Sequence, residues 1–262
     1  MDDTKTIPFY KYQGTGNDFI LVDNRHLQFP KNDTKYIRFL CDRKFGIGAD
    51  GFILLENDKL SDFKMVYYNA DGNQSSMCGN GGRCIVAFAN QLGIVKDKAC
   101  FNAIDGLHRA TIKDKVVSLD MMEVKEVTQR AKAYFLNTGS PHHVQLVDSL
   151  TDFNVVKEGA KLRYGLYGEV GSNINFVAPV EGNRFSVRTY ERGVEDETLS
   201  CGTGVTAVAL AMFHAEMAKT NIIEIETPGG ELTVSFDHDL EGFKNIVLSG
   251  PATFVFQGEI AV

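Results

Sequence analysis

The chain has 262 residues, of which 44% are hydrophobic and 23% charged, a composition typical of a globular protein with enough material for a large core. Its net charge of −7, without any run of lysine or arginine, argues against a nucleic-acid partner. No apolar stretch approaches the roughly 18 residues of a membrane span. The N-terminal segment also lacks the pattern of a secretory signal, so we expect no membrane association and a cytoplasmic location.

The five cysteines are Cys41, Cys78, Cys84, Cys100 and Cys201. An odd number at wide spacing, without an export signal, argues against a disulfide framework. The sequence contains no Cys-x-x-Cys motif, so a thioredoxin-like redox site is not supported. We therefore expect the thiols to be reduced.

The first half of the chain predicts strands around one buried helix. Residues 15–23 (TGNDFILVD) place a Thr-Gly turn before an apolar run, and residues 63–72 (FKMVYYNADG) predict a strand that ends in a turn. The segment CGNG (78–81) precedes CIVAFANQLGIV (84–95), which predicts a buried helix with the glycines at its start. The run VVSLDM (116–121) predicts a further strand.

The second half repeats this order. Residues 138–148 (TGSPHHVQLVD) again place a Thr-Gly turn before an apolar run, and residues 184–193 (RFSVRTYERG) predict a strand and a turn. The segment CGTG (201–204) precedes VTAVALAMFHAEMAK (205–219), which predicts a second buried helix. Further strand signals lie in NINFVA (173–178), IIEIETPGGELTVSF (222–236) and ATFVFQGEIAV (252–262).

The two halves are related by an internal duplication. The Thr-Gly turn and the Cys-Gly-x-Gly segment are separated by the same number of residues in both copies. We predict an α+β fold of two pseudo-symmetric duplicated domains, each a curved, mostly antiparallel β-sheet or barrel around a central helix. The poorly periodic EVKEVTQRAK (123–132) marks the junction, so the predicted domains are residues 1–122 with 251–262, and residues 123–250.

Both Cys-Gly-x-Gly segments begin a predicted helix, where unpaired N–H groups and the positive end of the helix dipole favour an anion. The glycines permit close approach of a ligand, and a cysteine at this position has its thiolate favoured. We expect the two helix ends to meet in a cleft between the domains. One carboxylate would then lie between Cys78 and Cys201.

This arrangement suits the inversion of a carbon centre, which needs a proton removed from one face and added to the other. One thiolate acts as the base and one thiol as the acid. Fixed N–H donors stabilise the carboxylate as negative charge develops, and a closed, dry site strengthens this effect. The sequence therefore predicts an isomerase that needs no pyridoxal phosphate or other cofactor.

Other candidate residues have simpler interpretations. Cys41, Cys84 and Cys100 lie in apolar helix or strand patterns, and we expect them to be packing residues. Arg83 is expected to pair with a carboxylate and lies outside the predicted site. A zinc site of histidines and cysteines is not favoured, because no tight ligand spacing occurs, and we predict no metal.

The ordered set of motifs resembles the diaminopimelate epimerase family. The segments that carry the resemblance run from residue 14 to residue 204, and the tail GPATFVFQGEIAV (250–262) fits the closing strand of that family. They are GTGNDF (14–19), DRKFGIGADG (42–51), NADG (69–72), CGNGGRC (78–84), GSPH (139–142), ERGVEDET (191–198) and CGTG (201–204). The resemblance implies interconversion of LL- and meso-diaminopimelate, in lysine and peptidoglycan precursor synthesis.

The resemblance also implies residue roles and a homodimer. Cys78 and Cys201 are the implied proton donor and acceptor, and His142 is implied to orient or polarise a catalytic cysteine. A substrate with two amino-acid ends needs donors for carboxylates and an acceptor for ammonium, which these residue types supply. The implied substrate-binding residues are Asn17, Asn69, Gly79, Asn80, Asn173, Glu191, Arg192, Gly202 and Thr203.

Two positions depart from the family pattern. Ser140 stands where the family often has asparagine, and Gly51 stands where some members have a glutamine that contacts the substrate. Ser140 is shorter and donates a single hydrogen bond. The distal end of the substrate is therefore held differently, or the substrate itself differs.

Three alternatives remain open at the level of sequence. The first is a racemase of another amino acid, of the histidine or proline type, on the same fold. The second is a non-catalytic amino-acid-binding protein, which the presence of both cysteines disfavours. The third is a thiol hydrolase, which needs only one cysteine and leaves the second unexplained. If the two thiols approach each other closely, oxidation is expected to join Cys78 and Cys201 as an inactivating disulfide.

Overall fold

The computed structural model describes residues 5–262 of the chain. The packing of Cα atoms divides it into two units. The first unit runs to Leu119 and includes Pro251–Val262, and the second is Asp120–Gly250. The assignment of residues 1–122 with 251–262 and of residues 123–250 as functional domains stays a prediction.

Strands dominate the described chain, with four helices between them. No helix within residues 5–262 is long and apolar enough to cross a membrane. The elements up to residue 120 are β1 (Thr6–Gly14), β2 (Asn17–Asp23), α1 (Thr34–Cys41), β3 (Gly51–Glu56), β4 (Phe63–Asn69), α2 (Gly79–Gln91), β5 (Lys98–Ala103), β6 (Gly106–Lys113) and β7 (Val116–Asp120). They are followed by β8 (Thr128–Arg130), β9 (Ala133–Asn137), β10 (Pro141–Leu146), α3 (Val155–Tyr167), β11 (Asn173–Glu181), β12 (Arg184–Glu191), β13 (Asp196–Thr198), α4 (Gly202–His214), β14 (Ile222–Thr227), β15 (Gly230–Asp239), β16 (Gly242–Pro251) and β17 (Thr253–Ala261).

The sheet of the first unit is mixed. Strand β17 pairs with β1 and β1 with β2, both antiparallel. The β2–β3 and β4–β5 pairs are parallel, while β3–β4, β5–β6 and β6–β7 are antiparallel. In the sequence, a helix lies between the two strands of each parallel pair, as is usual for a parallel crossover connection.

The second unit has the same succession of pairings. Strand β8 pairs with β9 and β9 with β10, both antiparallel. The β10–β11 and β12–β14 pairs are parallel, while β11–β12, β14–β15 and β15–β16 are antiparallel. The short strand β13 is an addition that pairs with β12. This correspondence supports the duplication, and the predicted α+β fold with mostly antiparallel sheets is confirmed.

Each unit is organised around one buried helix. In the first unit, α2 packs against β1, β2, β3, β6 and β17, which are distributed across the whole sheet. In the second unit, α4 packs against β9 to β12, β14 and β15. A helix reached by strands from both ends of a sheet lies on its concave side, so each sheet curves around its helix. The segment Val205–Met212 of α4 is buried on all sides, as its apolar sequence predicts.

The outer helices α1 and α3 cover the other face of each sheet. Asp33 accepts a hydrogen bond from the Tyr36 N–H at the start of α1, and Asn154 caps α3 through the Lys157 N–H. Helix α3 was not predicted from the sequence. It is largely exposed, and only Val155, Gly159 and Arg163 are buried along it, so the segment has no continuous apolar stripe.

Both central helices begin at the glycines that the sequence places at the helix start. Helix α2 starts at Gly79 and α4 at Gly202. The Gly82 N–H donates to the Cys78 carbonyl at 2.7 Å, and the Val205 N–H donates to the Cys201 carbonyl at 2.8 Å. Burial of the following turns sets the helical conformation and outweighs the propensity cost of roughly 1 kcal/mol per glycine.

Candidate active site

Cys78 is the N-cap residue of α2 in the first unit. Its backbone is extended, and its side chain makes no capping hydrogen bond to the helix. The Cys78 Sγ lies 3.6 Å from the Asn17 Oδ1, and the Asn80 Nδ2 donates to the same oxygen at 3.3 Å. Cys78, Asn17 and Asn80 therefore form one contact group, and three of the predicted site residues are brought together.

The orientation of Asn17 is fixed from its other side. The Asn17 Nδ2 donates to the Asp50 carboxylate at 2.7 Å, so its Oδ1 must be the atom that faces Cys78. Arg43 bridges Asp50 and Asp18, each at 2.7 Å, and Lys11 pairs with Asp18 at 2.8 Å. Although burial acts to raise the pKa of Asp18, hydrogen bonds from Arg43 and Lys11 lower it to about 2.

Arg83 lies near the start of α2, and the prediction that it pairs with a carboxylate is wrong. The side chain is fully buried and forms no ion pair within residues 5–262. Its Nη2 instead donates to the Asn80 Oδ1 at 3.0 Å and to the Thr15 Oγ1 at 3.2 Å. Burial lowers the pKa of Arg83. Both polar ends of the Asn80 side chain are thus held by other protein groups.

Cys201 occupies the equivalent position in the second unit, as the N-cap residue of α4. Its side chain does not cap the helix either, and it lies 3.5 Å from the Thr203 Oγ1. The Thr203 carbonyl accepts a hydrogen bond from the Thr138 hydroxyl at 2.8 Å, which fixes the first turn. A side chain at Gly204 would meet the Asn175 Oδ1 at 2.5 Å, so this glycine permits a close approach between α4 and β11.

His142 reaches Cys201 through Thr203. It is fully buried at the start of β10, and its Nε2 lies 3.0 Å from the Thr203 Oγ1. Its Nδ1 lies 3.2 Å from the Asn175 Nδ2. Burial lowers the pKa of His142 to about 3, and the positive charge of Arg192 acts in the same direction. His142 is therefore neutral at physiological pH.

Asn173 and Arg192 form a second contact group in this unit. The Asn173 Oδ1 accepts from the Arg192 backbone N–H at 2.9 Å, and its Nδ2 donates to the Ser140 hydroxyl at 3.2 Å. The Arg192 Nη1 donates to the Val170 carbonyl at 2.9 Å. The Asn173 side-chain amide thus binds the Arg192 backbone and the hydroxyl of Ser140, one of the two positions that depart from the family pattern.

Asn69 and Glu191 lie at the ends of corresponding strands, β4 and β12. Asn69 is exposed, and its side chain makes no hydrogen bond to residues 5–262. Glu191 is partly buried, and its Oε2 accepts from the Thr198 hydroxyl at 2.9 Å. Gly79 and Gly202 are the first helical residues of α2 and α4.

The space at Gly51 is already filled. A Cβ atom at this position would lie 2.5 Å from the Tyr67 ring and 2.9 Å from the Tyr68 carbonyl oxygen. A glutamine does not fit here, and the Tyr67 ring takes the place of its side chain. Tyr67 lies on β4, which pairs with β3 directly beside this point.

The remaining cysteines have structural surroundings. Cys41 and Cys84 are buried, which confirms their predicted packing role, and burial raises the pKa of each thiol to about 12. Cys100 lies partly exposed on β5. Within residues 5–262, no group of three or more histidine, cysteine, aspartate or glutamate side chains is arranged to hold a metal ion.

Sequence reasoning missed Asp50, Asn175 and Tyr67, which contact the predicted site residues or fill the space beside them, and it placed Arg83 outside the site. For Asn175 a signal existed, because Asn173 and Asn175 alternate along an otherwise apolar strand and so share one face. The partners of Asp50 and Tyr67 lie on neighbouring strands but far away in the sequence, so no local pattern reveals them.

The sequence profile described as diaminopimelate epimerase matches residues 9–127 and 134–255. The chain is 62% identical over 253 residues to a diaminopimelate epimerase of Flavobacterium psychrophilum, a match that covers 96% of this chain and 99% of that protein. The chain belongs to the diaminopimelate epimerase family. A diaminopimelate epimerase of Aquifex aeolicus is 37% identical over 274 residues, a match that covers 97% of this chain and 97% of that protein.

Solved structures share the fold of the diaminopimelate epimerase family at low identity. A phenazine biosynthesis protein of the PhzF family from Bacillus anthracis aligns with a TM-score of 0.77 at 14% identity, covering 98% of this chain and all of that one. A hydroxyproline epimerase from Agrobacterium vitis aligns with a TM-score of 0.69 at 14% identity, covering 100% of this chain and 94% of that one. The predicted membership of the diaminopimelate epimerase family, and with it the isomerase class, is confirmed.

Proposed function

We propose that the chain interconverts LL- and meso-diaminopimelate by proton transfer through Cys78 and Cys201, without a cofactor. One observation carries this proposal. Each unit places one cysteine at the N-cap of its buried central helix, and neither side chain caps the helix. A structural cysteine has no need of this position in both copies of a duplicated fold, whereas a two-base reaction needs one thiol from each.

The substrate α-carboxylate is proposed to bind the N-terminal N–H groups of α2 and α4. These groups belong to Gly79 and Asn80 in the first unit and to Gly202 and Thr203 in the second. The side chains of Asn80 and Thr203 are engaged by other protein groups, so their backbone N–H groups are the donors. Two positive helix ends stabilise the charge that develops as the α-proton leaves.

In the proposed reaction, one thiolate removes the α-proton and becomes a thiol. The opposite thiol delivers its proton to the other face of the same carbon and becomes the thiolate. One S–H bond and one C–H bond form while one of each breaks, so no electrons are exchanged with a cofactor. After each turnover the two cysteines have exchanged roles, as a reversible epimerisation requires.

The distal end of the substrate is proposed to contact Asn69, Glu191 and Arg192. Glu191 is the acceptor for ammonium, and Arg192 is a donor for carboxylate. Asn173 supports these contacts by holding the Arg192 backbone and Ser140. By family resemblance we also propose that the substrate lies between the two units, and that the enzyme acts in the cytoplasm as a homodimer.

The test is proton exchange in D2O. Reduced protein is incubated with LL-diaminopimelate, without added pyridoxal phosphate, and is followed by NMR for α-deuterium and by chiral chromatography for the meso isomer. We expect meso product that carries solvent deuterium. Cys78→Ala and Cys201→Ala are each expected to lower the rate by roughly 10²–10⁴-fold, the contribution of general acid–base groups.

The matched control is Cys100→Ala, which changes a partly exposed cysteine on β5 and is expected to keep full activity. If diaminopimelate is inert while histidine or proline exchanges its α-proton, the mechanism stands and the substrate is wrong. If no amino acid exchanges, the enzymatic proposal fails.

A further inference from the structure

A two-base reaction needs its two cysteines in opposite protonation states before substrate binds, and this inference rests on the function proposed above. Cys78 and Cys201 share residue type, helix position and helix dipole. Their hydrogen-bond partners differ, and each partner is fixed by groups further from the thiol. The direction in which each chain of hydrogen bonds runs can therefore be traced from its anchor.

In the second unit the anchor is a backbone carbonyl. One end of the Asn175 amide lies 2.9 Å from the His143 carbonyl oxygen, so this end must be the NH2 group. The opposite end accepts from the Thr189 hydroxyl at 3.0 Å. Asn175 is fully buried, and these contacts leave its amide a single orientation.

This orientation sets the tautomer of His142. The second hydrogen of the Asn175 NH2 group points to the His142 Nδ1 at 3.2 Å, so Nδ1 is an acceptor and the ring proton lies on Nε2. The Nε2–H then donates to the Thr203 Oγ1 at 3.0 Å. With its oxygen accepting from His142, the Thr203 hydroxyl keeps its own hydrogen available for the Cys201 Sγ, which lies 3.5 Å away. Cys201 receives a hydrogen bond, which favours its thiolate.

In the first unit the anchor is a carboxylate, and the direction is reversed. The Asp50 carboxylate accepts from the Asn17 Nδ2, which leaves the Asn17 Oδ1 facing the Cys78 Sγ at 3.6 Å. Arg43 holds Asp50 in place at 2.7 Å. A carbonyl oxygen accepts a hydrogen from sulfur but repels a thiolate, so this contact favours the protonated thiol of Cys78.

Charged groups near the two sites act alongside these hydrogen bonds. Arg83 is close enough to Cys78 to favour its thiolate, and Lys11, Asp18, Arg43 and Asp50 form a neutral set behind Asn17. In the second unit Arg192 contributes one positive charge near His142, which is itself neutral. Arg83 therefore acts against the thiol form of Cys78, while the hydrogen bonds traced above favour that thiol and the thiolate of Cys201.

We propose that the resting enzyme holds Cys201 as the thiolate and Cys78 as the thiol, with Asn175 and Asp50 as the positioning residues that set this difference. The substrate isomer whose α-hydrogen faces Cys201 then reacts directly with the resting enzyme. The other isomer requires the proton to move from Cys78 to Cys201 first.

The test is the pH dependence of alkylation by iodoacetamide, with substrate absent. The reduced, full-length protein is pulsed across a pH series, and peptides containing Cys78 and Cys201 are quantified by mass spectrometry. Each rate is divided by that thiol's own plateau rate at high pH, which removes differences in exposure. We expect the midpoint for Cys201 to lie at least about one pH unit below that for Cys78, a tenfold difference in thiolate at neutral pH.

Variants distinguish a positioning role of Thr203 and Asp50 from a general effect on folding. Thr203→Val removes the hydroxyl at nearly constant size and is expected to raise the Cys201 midpoint by about one pH unit, while Thr203→Ser restores it. Asp50→Ala frees the Asn17 amide to turn its NH2 group to sulfur and is expected to lower the Cys78 midpoint. Asp23→Ala removes a comparable ion pair to Arg25 and is the control, with both midpoints unchanged.

Equal or reversed midpoints in the wild-type protein would overturn the proposal, whatever the variants do. A Thr203→Val midpoint identical to that of Thr203→Ser would also overturn it. Because the measurement contains no substrate, its result is independent of the D2O exchange assay. Different midpoints without any exchange would refute the proposed function and leave the protonation assignment standing.

Discussion

Tyr67 and Gly51 compete for one volume, although they lie on neighbouring strands. A Cβ at position 51 would lie 2.5 Å from the Tyr67 ring, and Tyr67 itself is 9% exposed. A buried aromatic ring moves only at a cost in packing energy. The two positions are therefore expected to accept one large side chain between them, as either tyrosine or the glutamine that some family members carry at position 51.

A double-mutant cycle tests this exchange. Gly51→Gln is expected to destabilise the protein by about 1–3 kcal/mol, the usual cost of overpacking. In a Tyr67→Ala background the same change is expected to cost less, with a coupling energy of about 0.5–3 kcal/mol. Urea denaturation of the four proteins gives the free energies. Additive effects would show that the two side chains do not share the volume.

His142 makes stability depend on pH. Its pKa in the folded protein is about 3, lowered by burial, against about 6.5 in an unfolded chain. Between these values the unfolded state binds the extra proton, so stability is lost as pH falls below 6.5. From pH 6.5 to pH 5 we expect a loss of about 2 kcal/mol from this residue. Urea midpoints of wild type and His142→Asn across this range measure it, and parallel pH profiles would contradict it.

The residues proposed to bind substrate or to react were identified from the sequence, whereas the residues that contact and orient them were not. Cys78 and Cys201 stand out because a Cys-Gly-x-Gly start recurs at equal spacing. Asp50 accepts a hydrogen bond from Asn17 only because the parallel strands β2 and β3 bring the two residues together. Arg83 was expected to find a carboxylate, but its hydrogen bonds to neutral oxygens depend on packing that no sequence pattern records.

Among the elements, the strands and helices with strong periodicity were predicted, and the rest depended on tertiary contacts. The strand in residues 63–72 appears as β4, and the strand in residues 184–193 appears as β12. Helix α3 contains Gly159 and Gly165, and its exposed apolar residues hide the pattern of its buried face. Its docking against β11 and β12, rather than its own sequence, stabilises it.

The two glycines of α3 are expected to respond in opposite directions to alanine. A Cβ at Gly159 would lie 2.4 Å from the Cβ of Tyr190, which is buried on β12, while nothing lies within 4 Å at Gly165. Gly165→Ala is expected to gain about 0.5–1 kcal/mol from helix propensity. Gly159→Ala is expected to lose about 1–3 kcal/mol by overpacking. Urea denaturation compares them, and a stabilising Gly159→Ala would refute the close contact.

At the scale of the whole molecule, the duplication was readable from the spacing of two turns and two cysteines. The strand pairings bear this out, because β1–β7 with β17 and β8–β16 follow the same order of parallel and antiparallel pairs. The parallel pairs were not predicted, because a parallel crossover leaves no turn signature in the sequence. A duplicated fold supplies two helix ends of the same kind, which a reaction with two faces requires.

The last prediction concerns both units together and follows from the proposed function. If Cys78 and Cys201 act on the same α-carbon, we expect their side chains to approach each other. A disulfide between them requires Cα atoms within about 7 Å of each other. We expect a mild thiol oxidant to abolish activity, to join the peptides of Cys78 and Cys201 with the loss of two hydrogens, and to be reversed by dithiothreitol. Cys41 and Cys84 are expected to be spared, because burial raises the pKa of both thiols to about 12.

The controls distinguish this crosslink from other oxidation. Cys100→Ala is expected to be inactivated like the wild type, and Cys201→Ala is expected to yield no linked peptide. Because the proposed reaction places the substrate carbon between the two sulfurs, bound substrate is expected to protect the enzyme. Full activity after oxidation, or inactivation without the linked peptide, would mean that the two thiols do not approach each other in the resting protein, and the substrate would then have to bring them together.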